Sequence, residues 1–241
     1  MAKPTARHTL DLRHNLAVSQ APRWTVTYEL EGARGPRREA TERTRVAGAG
    51  QDRVYVAEID DAWLIVLADG AGGSGDGALA AQRLCDLVQR DQATLCSAPA
   101  QLGAWLTGVD AETLGGQTTA IVLVVRDGIV TGVSVGDSEA WVVGATVVAL
   151  TQQQHRKPLL GSGTALPVPF DGELHPEQTL VLGSDGLFKY VAAAHLISLV
   201  TAGSSDATLA AQLLAAARLP TGRLQDDCSV IVMRAALAAP S

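Results

Sequence analysis

Short runs rich in β-branched and other apolar residues recur along the chain at 24–30, 54–59, 63–68, 119–125, 129–135, 140–143, 146–150, 178–183 and 229–234. Their length and their bounding polar residues predict strands. Asp60-Asp61, Arg126-Asp127-Gly128 and Gly144-Ala145 separate successive runs and carry hairpin chemistry, so the sheets are predicted to be largely antiparallel. Between the runs, 76–90, 97–109, 191–201 and 206–218 place apolar residues at helical intervals. In the first of these, Leu79, Leu84, Leu87 and Val88 are predicted to share the buried face, and Asp206 is a predicted N-cap for the last. Strand blocks followed by helix pairs predict an α+β layered fold, with two packed antiparallel β-sheets flanked by helices.

Residues 1–22 lack sustained periodicity and read as an N-terminal arm, followed by one domain at 23–236 and a short tail at 237–241. Residues 32–45, rich in Arg, Glu, Gly and Pro, read as a loop. Aromatic residues make up only 4% of the chain, so the core is predicted to be aliphatic. Trp63 and Trp141 are assigned to it, and Cys228 is read as a small apolar strand residue.

A net charge of −6 argues against nucleic acid as a partner, since phosphate-backbone binding needs a basic surface. Three widely spaced cysteines suggest neither a disulfide framework nor a zinc knuckle. No apolar run approaches the roughly 20 residues of a membrane helix. Charged residues also interrupt the first 17 positions where a signal peptide would need an apolar core. A cytoplasmic, monomeric protein is expected.

Acidic residues stand directly beside the predicted strands. Asp69 follows 63–68 and opens Asp69-Gly70-Ala71-Gly72-Gly73; Asp137 follows 129–135; Asp185 follows 178–183. Asp226 and Asp227 precede 229–234, and Asp52 precedes 54–59. Carboxylates at strand ends can converge on one rim of a sandwich, where their repulsion favours bound cations. Oxygen ligands without His or Cys select Mg2+ or Mn2+. Glycine after Asp69 allows a backbone carbonyl, that of Gly70, to approach an ion. Two such ions about 3.5 to 4 Å apart would acidify a shared water and direct it at phosphorus. Taken singly, an Asp-Gly pair is an ordinary turn and Asp226-Asp227 an ordinary solvated loop pair.

The ordered set carries more information than its members. Gln51-Asp52-Arg53, Ala68-Asp69-Gly70-Ala71-Gly72-Gly73, Gly116-Gln117-Thr118-Thr119-Ala120, Val135-Gly136-Asp137-Ser138, Gly183-Ser184-Asp185-Gly186-Leu187 and Gln225-Asp226-Asp227-Cys228-Ser229 resemble, in order, the motifs of the type 2C metal-dependent serine/threonine protein phosphatases. The resemblance implies the αββα sandwich of that family and hydrolysis of phosphoserine or phosphothreonine without a covalent intermediate. It implies that Asp69 bridges two Mn2+ or Mg2+ ions, that the Gly70 carbonyl completes the second site, and that Asp185 and Asp226 hold the first. Asp137 matches the aspartate that, with Asp185, holds a third ion in bacterial members, and Asp52 matches the group that orients water. The implied partner is a phosphorylated protein, a cognate Ser/Thr kinase or its target.

The chain departs from the family pattern at three positions. Gln51 stands where a Glu is usual, Ala47 where a phosphate-binding Arg is usual, and Ala71 where some members carry a His. Arg45 is the nearest substitute for the arginine. His155, Arg156 and Lys157 read as surface charge that could border the groove. The residues leave three functions open: a protein phosphatase, a noncatalytic phosphoprotein-binding scaffold of the same fold, and a phosphatase acting on a nonprotein phosphoester.

Overall fold

The computed structural model describes residues 23–33, 46–72, 76–112, 115–202 and 206–235. The predicted arm at 1–22, the tail at 237–241 and Arg45 lie outside them. In chain order the elements are β1 (Trp24–Glu31), β2 (Val46–Ala49), β3 (Asp52–Ile59), β4 (Ala62–Ala71), α1 (Asp76–Ser97), α2 (Leu102–Ala111), β5 (Gln117–Thr118), β6 (Ala120–Arg126) and β7 (Ile129–Val135). There follow β8 (Glu139–Val143), β9 (Val147–Ala149), β10 (Val168–Glu173), β11 (Thr179–Gly183), α3 (Asp185–Phe188), α4 (Ala193–Thr201), α5 (Asp206–Ala216) and β12 (Cys228–Ala235).

The strands form two antiparallel sheets, one ordered β10-β7-β6-β4-β3-β2 with β5 appended to β4, the other β1-β12-β11-β8-β9. The central strands are apolar on both faces because both faces are covered. In β4, Leu64, Val66 and Ala68 pack beneath α1 and α2, while Ile65 and Leu67 point to the opposite sheet. In β12, Ile231 and Met233 meet that inter-sheet core, and Val230 and Val232 pack with residues of α4 and α5. Period-two alternation thus builds a four-layer αββα sandwich, as the sequence predicts.

The hairpins confirm their turn chemistry. Asp60 and Asp61 (φ 46° and 62°) join β3 to β4, and Asp127 and Gly128 (φ 52° and 80°) join β6 to β7. Positive φ at both central residues matches the twist of the flanking strands.

Several boundaries differ from expectation. The first helix continues to Ser97, and its buried face is Ala80, Ala81, Leu84, Cys85 and Val88; Leu79 is exposed. Alanines on this face let the helix lie close to the sheet, which places the larger Leu79 outside. The second helix starts at Leu102 because Pro99 opens a separate 3-10 turn. Trp63 and Trp141 are half-buried rather than core, and the Trp141 indole donates to Glu139 at 2.7 Å. β10 was not expected: Pro169, Asp171 and Gly172 are poor strand formers, tolerated because β10 is an edge strand. Cys228 is buried beneath the helices, as expected. Among the described residues no helix is long and apolar enough to cross a membrane.

Asp110 sits in the last turn of α2, an unfavourable place for an acid in the field of a helix. Its carboxylate accepts from the backbone N–H of Gly161 (2.6 Å), Ala165 (2.7 Å) and Gly163 (3.3 Å). It therefore fixes the segment leading into β10. Leu160, within that segment, exchanges backbone hydrogen bonds with Thr118 at 3.0 and 3.1 Å. Asp110→Ala should lose about 3 kcal/mol of stability, because buried donors are left without a charged acceptor. Urea unfolding of the two proteins checks this, with Asp110→Asn expected to fall between them.

Candidate metal centre

Antiparallel pairing brings the strand-end carboxylates to one end of the sandwich. Asp52 opens β3 directly opposite Asp69 near the end of β4. At the same end of the other sheet, Gly183 pairs with both Val230 and Glu139, which sets Asp185 beside Asp226 and close to Asp137. The sheets are tied there by Ser229 of β12, whose hydroxyl donates to Asp52 Oδ2 at 2.6 Å in a fully buried contact.

A second set of hydroxyls and amides fixes Asp69. Its N–H donates to Thr119 Oγ1 at 3.0 Å, and its carbonyl accepts from the Thr119 N–H at 2.8 Å. The Thr118 hydroxyl reaches the same carbonyl at 3.0 Å. Thr119 Oγ1 also lies 2.8 Å from Ser138 Oγ, linking this strand to the residue after Asp137. Ser184 Oγ accepts from the Ser229 N–H at 3.0 Å. Sequence reasoning quoted these hydroxyl residues within motifs without giving them a role. Their position at or beside strand ends, next to the acidic motifs, is the signal the sequence offers.

Gly70 is required by close approach. A Cβ there would stand 2.3 Å from the Gly77 carbonyl in the first turn of α1, and one on Gly77 would stand 2.6 Å from the Gly70 carbonyl carbon. The end of β4 thus lies backbone to backbone against a helix start, and no side chain fits between.

Asp227 is not a solvated partner of Asp226. Its carboxylate accepts from the N–H of Ala33 at 2.8 Å and of Gln51 at 2.7 Å, so it clamps the ends of β1 and of the β2–β3 turn. Gly50 (φ 57°) packs against it so tightly that a Cβ would lie 2.0 Å from Asp227 Oδ2. Gln51, where the family pattern has Glu, instead donates from Nε2 to the Gly72 carbonyl at 2.7 Å. It ties the first acidic motif to the glycine loop. Ala47 is buried in β2 opposite Val54, so position 47 presents no cation.

The electrostatics of the cluster are those of crowded acids. Burial raises the Asp69 carboxyl well above the ordinary range, and Asp52, Asp185 and Asp226 raise it further. Asp52 is also raised, chiefly by burial, against the opposing hydroxyls of Ser229 and Ser184. Asp185 is raised by burial and then by Asp226 and Asp137, with Lys189 and Arg156 acting the other way. The Oδ1 atom of Asp52 is buried without a hydrogen-bond partner.

These donors suit a hard divalent cation: all are oxygens, their repulsion is relieved by positive charge, and one buried oxygen has no partner. Among the described residues no group of three or more acidic, histidine or cysteine side chains is placed so as to hold a metal ion.

The family model for Stage II sporulation protein E (SpoIIE) matches residues 59–236. The chain belongs to the SpoIIE family. This SpoIIE-family chain has the fold of the type 2C phosphatases, as the motif order implies. A bacterial serine phosphatase superposes on it with a TM-score of 0.68 at 19% identity, covering 89% of this chain and 99% of its own. PppA, a key regulatory component of T6SS in Pseudomonas aeruginosa, gives 0.67 at 18%, covering 89% and 99%. The catalytic domain of the serine threonine protein phosphatase PstP, in complex with 2 manganese ions, gives 0.61 at 21%, covering 88% and 98%. At these identities the likeness establishes the fold. No curated protein matches the sequence.

Gly70→Ala should cost about 3 kcal/mol or more, because backbone on both sides must shift to admit the methyl group. Gly103→Ala, in α2 with open space around its Cβ, should be neutral or stabilise by up to about 1 kcal/mol. Thermal unfolding of the pair reads the contrast directly.

Proposed function

We propose that this SpoIIE-family chain hydrolyses phosphoserine and phosphothreonine on proteins at a binuclear Mg2+ or Mn2+ centre. The observation that carries this reading is the gathering of Asp52, Asp69, Asp185 and Asp226 at one end of the sandwich, where burial first and then the neighbouring carboxylates raise Asp69. Asp69, Asp185 and Asp226, with the Gly70 carbonyl, would hold the two ions. When bound, such ions polarise a phosphoryl group and acidify water.

The remaining work falls to side chains. Asp52, fixed through Oδ2 by Ser229, offers its free Oδ1 to orient and hold a proton of the attacking water. Thr118 and Thr119 hold the Asp69 backbone so that its carboxylate does not retreat from its neighbours. Arg45, which shortly precedes β2 in sequence, supplies the substrate phosphate contact that buried Ala47 cannot. Ala71 offers no acid, so the leaving oxygen takes its proton from water. PppA is described as a regulatory component, and another match at 18% identity comes from the bacterial stressosome, a system adapted to control secondary messenger signaling. Those descriptions are of regulatory proteins, and in keeping with them the substrate proposed here is a phosphorylated protein, a cognate Ser/Thr kinase or its target, met by a monomer in the cytoplasm.

Ala47 and Gln51 favour a second reading, a scaffold of the same fold that binds a phosphoprotein without hydrolysing it. Hydrolysis of para-nitrophenyl phosphate and of a phosphothreonine peptide, titrated with Mn2+, separates the two. The phosphatase reading expects Mn2+-dependent turnover that falls at least about 100-fold, or about 2.7 kcal/mol, in Asp69→Asn. Turnover indistinguishable from that variant would leave the scaffold. Asp52→Asn should lower kcat about 10- to 100-fold while Mn2+ affinity changes less, as expected of a group acting through water. Faster release from small phosphoesters than from the peptide would redirect the assignment to a nonprotein substrate.

A further inference from the structure

Beside the four carboxylates lies a cavity of about 360 Å³ between β8, β9 and α3. Two cations line it, Arg156 and Lys189, facing Asp137, Asp185 and Glu139. Arg156 donates from Nη2 to Asp137 Oδ2 at 2.7 Å and from Nε to the same oxygen at 3.2 Å. Lys189 Nζ stands 3.9 Å from Asp185 Oδ2, one helical turn away. Asp137 and Asp185 are the two residues that the family resemblance assigns to a third ion. In this chain each has a side-chain cation of its own.

We propose that Arg156 is a resident cation in place of the third divalent ion, so that this chain binds two ions and not three. The proposal rests on the binuclear reading above and is an alternative to the expectation that Asp137 is a metal ligand. It also corrects the reading of Arg156 as plain surface charge.

Three observations support it. Both interacting guanidinium nitrogens aim at Asp137, and a guanidinium remains charged at every working pH. Arg156 lines the cavity together with Asp137, Asp185 and Glu139, so one guanidinium faces three acids. A dication on the other oxygen of Asp137 would share one carboxylate with Arg156 and stand near Lys189 as well. Like charges sharing one carboxylate repel, less strongly where water screens them but still against a third ion. The position is set locally: the His155 carbonyl accepts from the Gly136 N–H at 3.1 Å, which holds the residue before Arg156 against the residue before Asp137. The Gln154 amide donates to the Ser138 carbonyl at 2.7 Å on the other side. The segment carrying Arg156 is thus pinned on both sides of Asp137.

The test counts bound Mn2+ per chain, from the electron paramagnetic resonance of free Mn2+ during titration of the full chain. Wild type should bind two ions, and Arg156→Ala three. Arg156→Lys should stay at two, and Arg156→Ala combined with Asp137→Asn should return to two. Arg156 is exposed, so these variants are expected to fold, which circular dichroism verifies. Three ions in wild type, or no added ion in Arg156→Ala, would overturn the proposal. The difference between variant and wild type is the readout, which keeps the two claims separable. A wild type that binds no ion defeats the binuclear reading, while one ion gained by Arg156→Ala still supports the role of Arg156.

Discussion

Mutual repulsion among carboxylates at one end of a β-sandwich is the constraint around which the rest of this structure is arranged. Asp52 and Asp69 come from β3 and β4, Asp185 opens α3 and Asp226 stands just before β12, and burial makes the ionised forms of Asp52, Asp69 and Asp185 costly. Left to themselves these groups would spread the strand ends apart. Neutral braces resist this: Ser229 on Asp52 across the sheets, Thr118 and Thr119 on Asp69, and Ser184 on the start of β12. Hydroxyls suit the task, since they donate or accept as needed and add no net charge. An acidic brace, Asp227, is used only where its partners are backbone N–H groups, at Ala33 and Gln51.

The braces extend well beyond the rim. Asp110 fixes the segment that carries Leu160, Leu160 pairs with Thr118, and Thr118 contacts the Asp69 carbonyl. A carboxylate at the far end of α2 is thus connected to the central acid by three contacts. The Gly70–Gly77 approach closes the opposite flank by pressing the start of α1 against the end of β4. Position and charge are handled by different residues. The carboxylates set what the end of the sandwich attracts, and the hydroxyls, glycines and structural acids set where each carboxylate stands.

Much of this was legible in the sequence. Nine strands and four helices follow from periodicity, because central strands covered on both faces must be apolar throughout and hairpins need residues that accept positive φ. The strand-end position of Asp69, Asp185 and Asp226 is visible for the same reason. Less visible were features whose partners are distant in sequence. Asp227 looks like a loop acid until Ala33 and Gln51 are placed against it. Asp110 looks like the end of a helix, and Arg156 like surface charge. β10 was hidden because an edge strand does not need the composition of a central one. Leu79 was assigned to the buried face because a leucine outweighs two alanines in any hydrophobic pattern, whereas close packing favours the alanines.

In the function proposed above, this end of the sandwich is neutralised by cations held by Asp69, Asp185 and Asp226. Crystals grown with Mn2+ and measured at the manganese absorption edge test it most directly. The account predicts anomalous density at this end, one peak contacted by Asp69 and the Gly70 carbonyl and another by Asp69, Asp185 and Asp226. A map without anomalous density among these residues, at Mn2+ concentrations in the millimolar range, would contradict it.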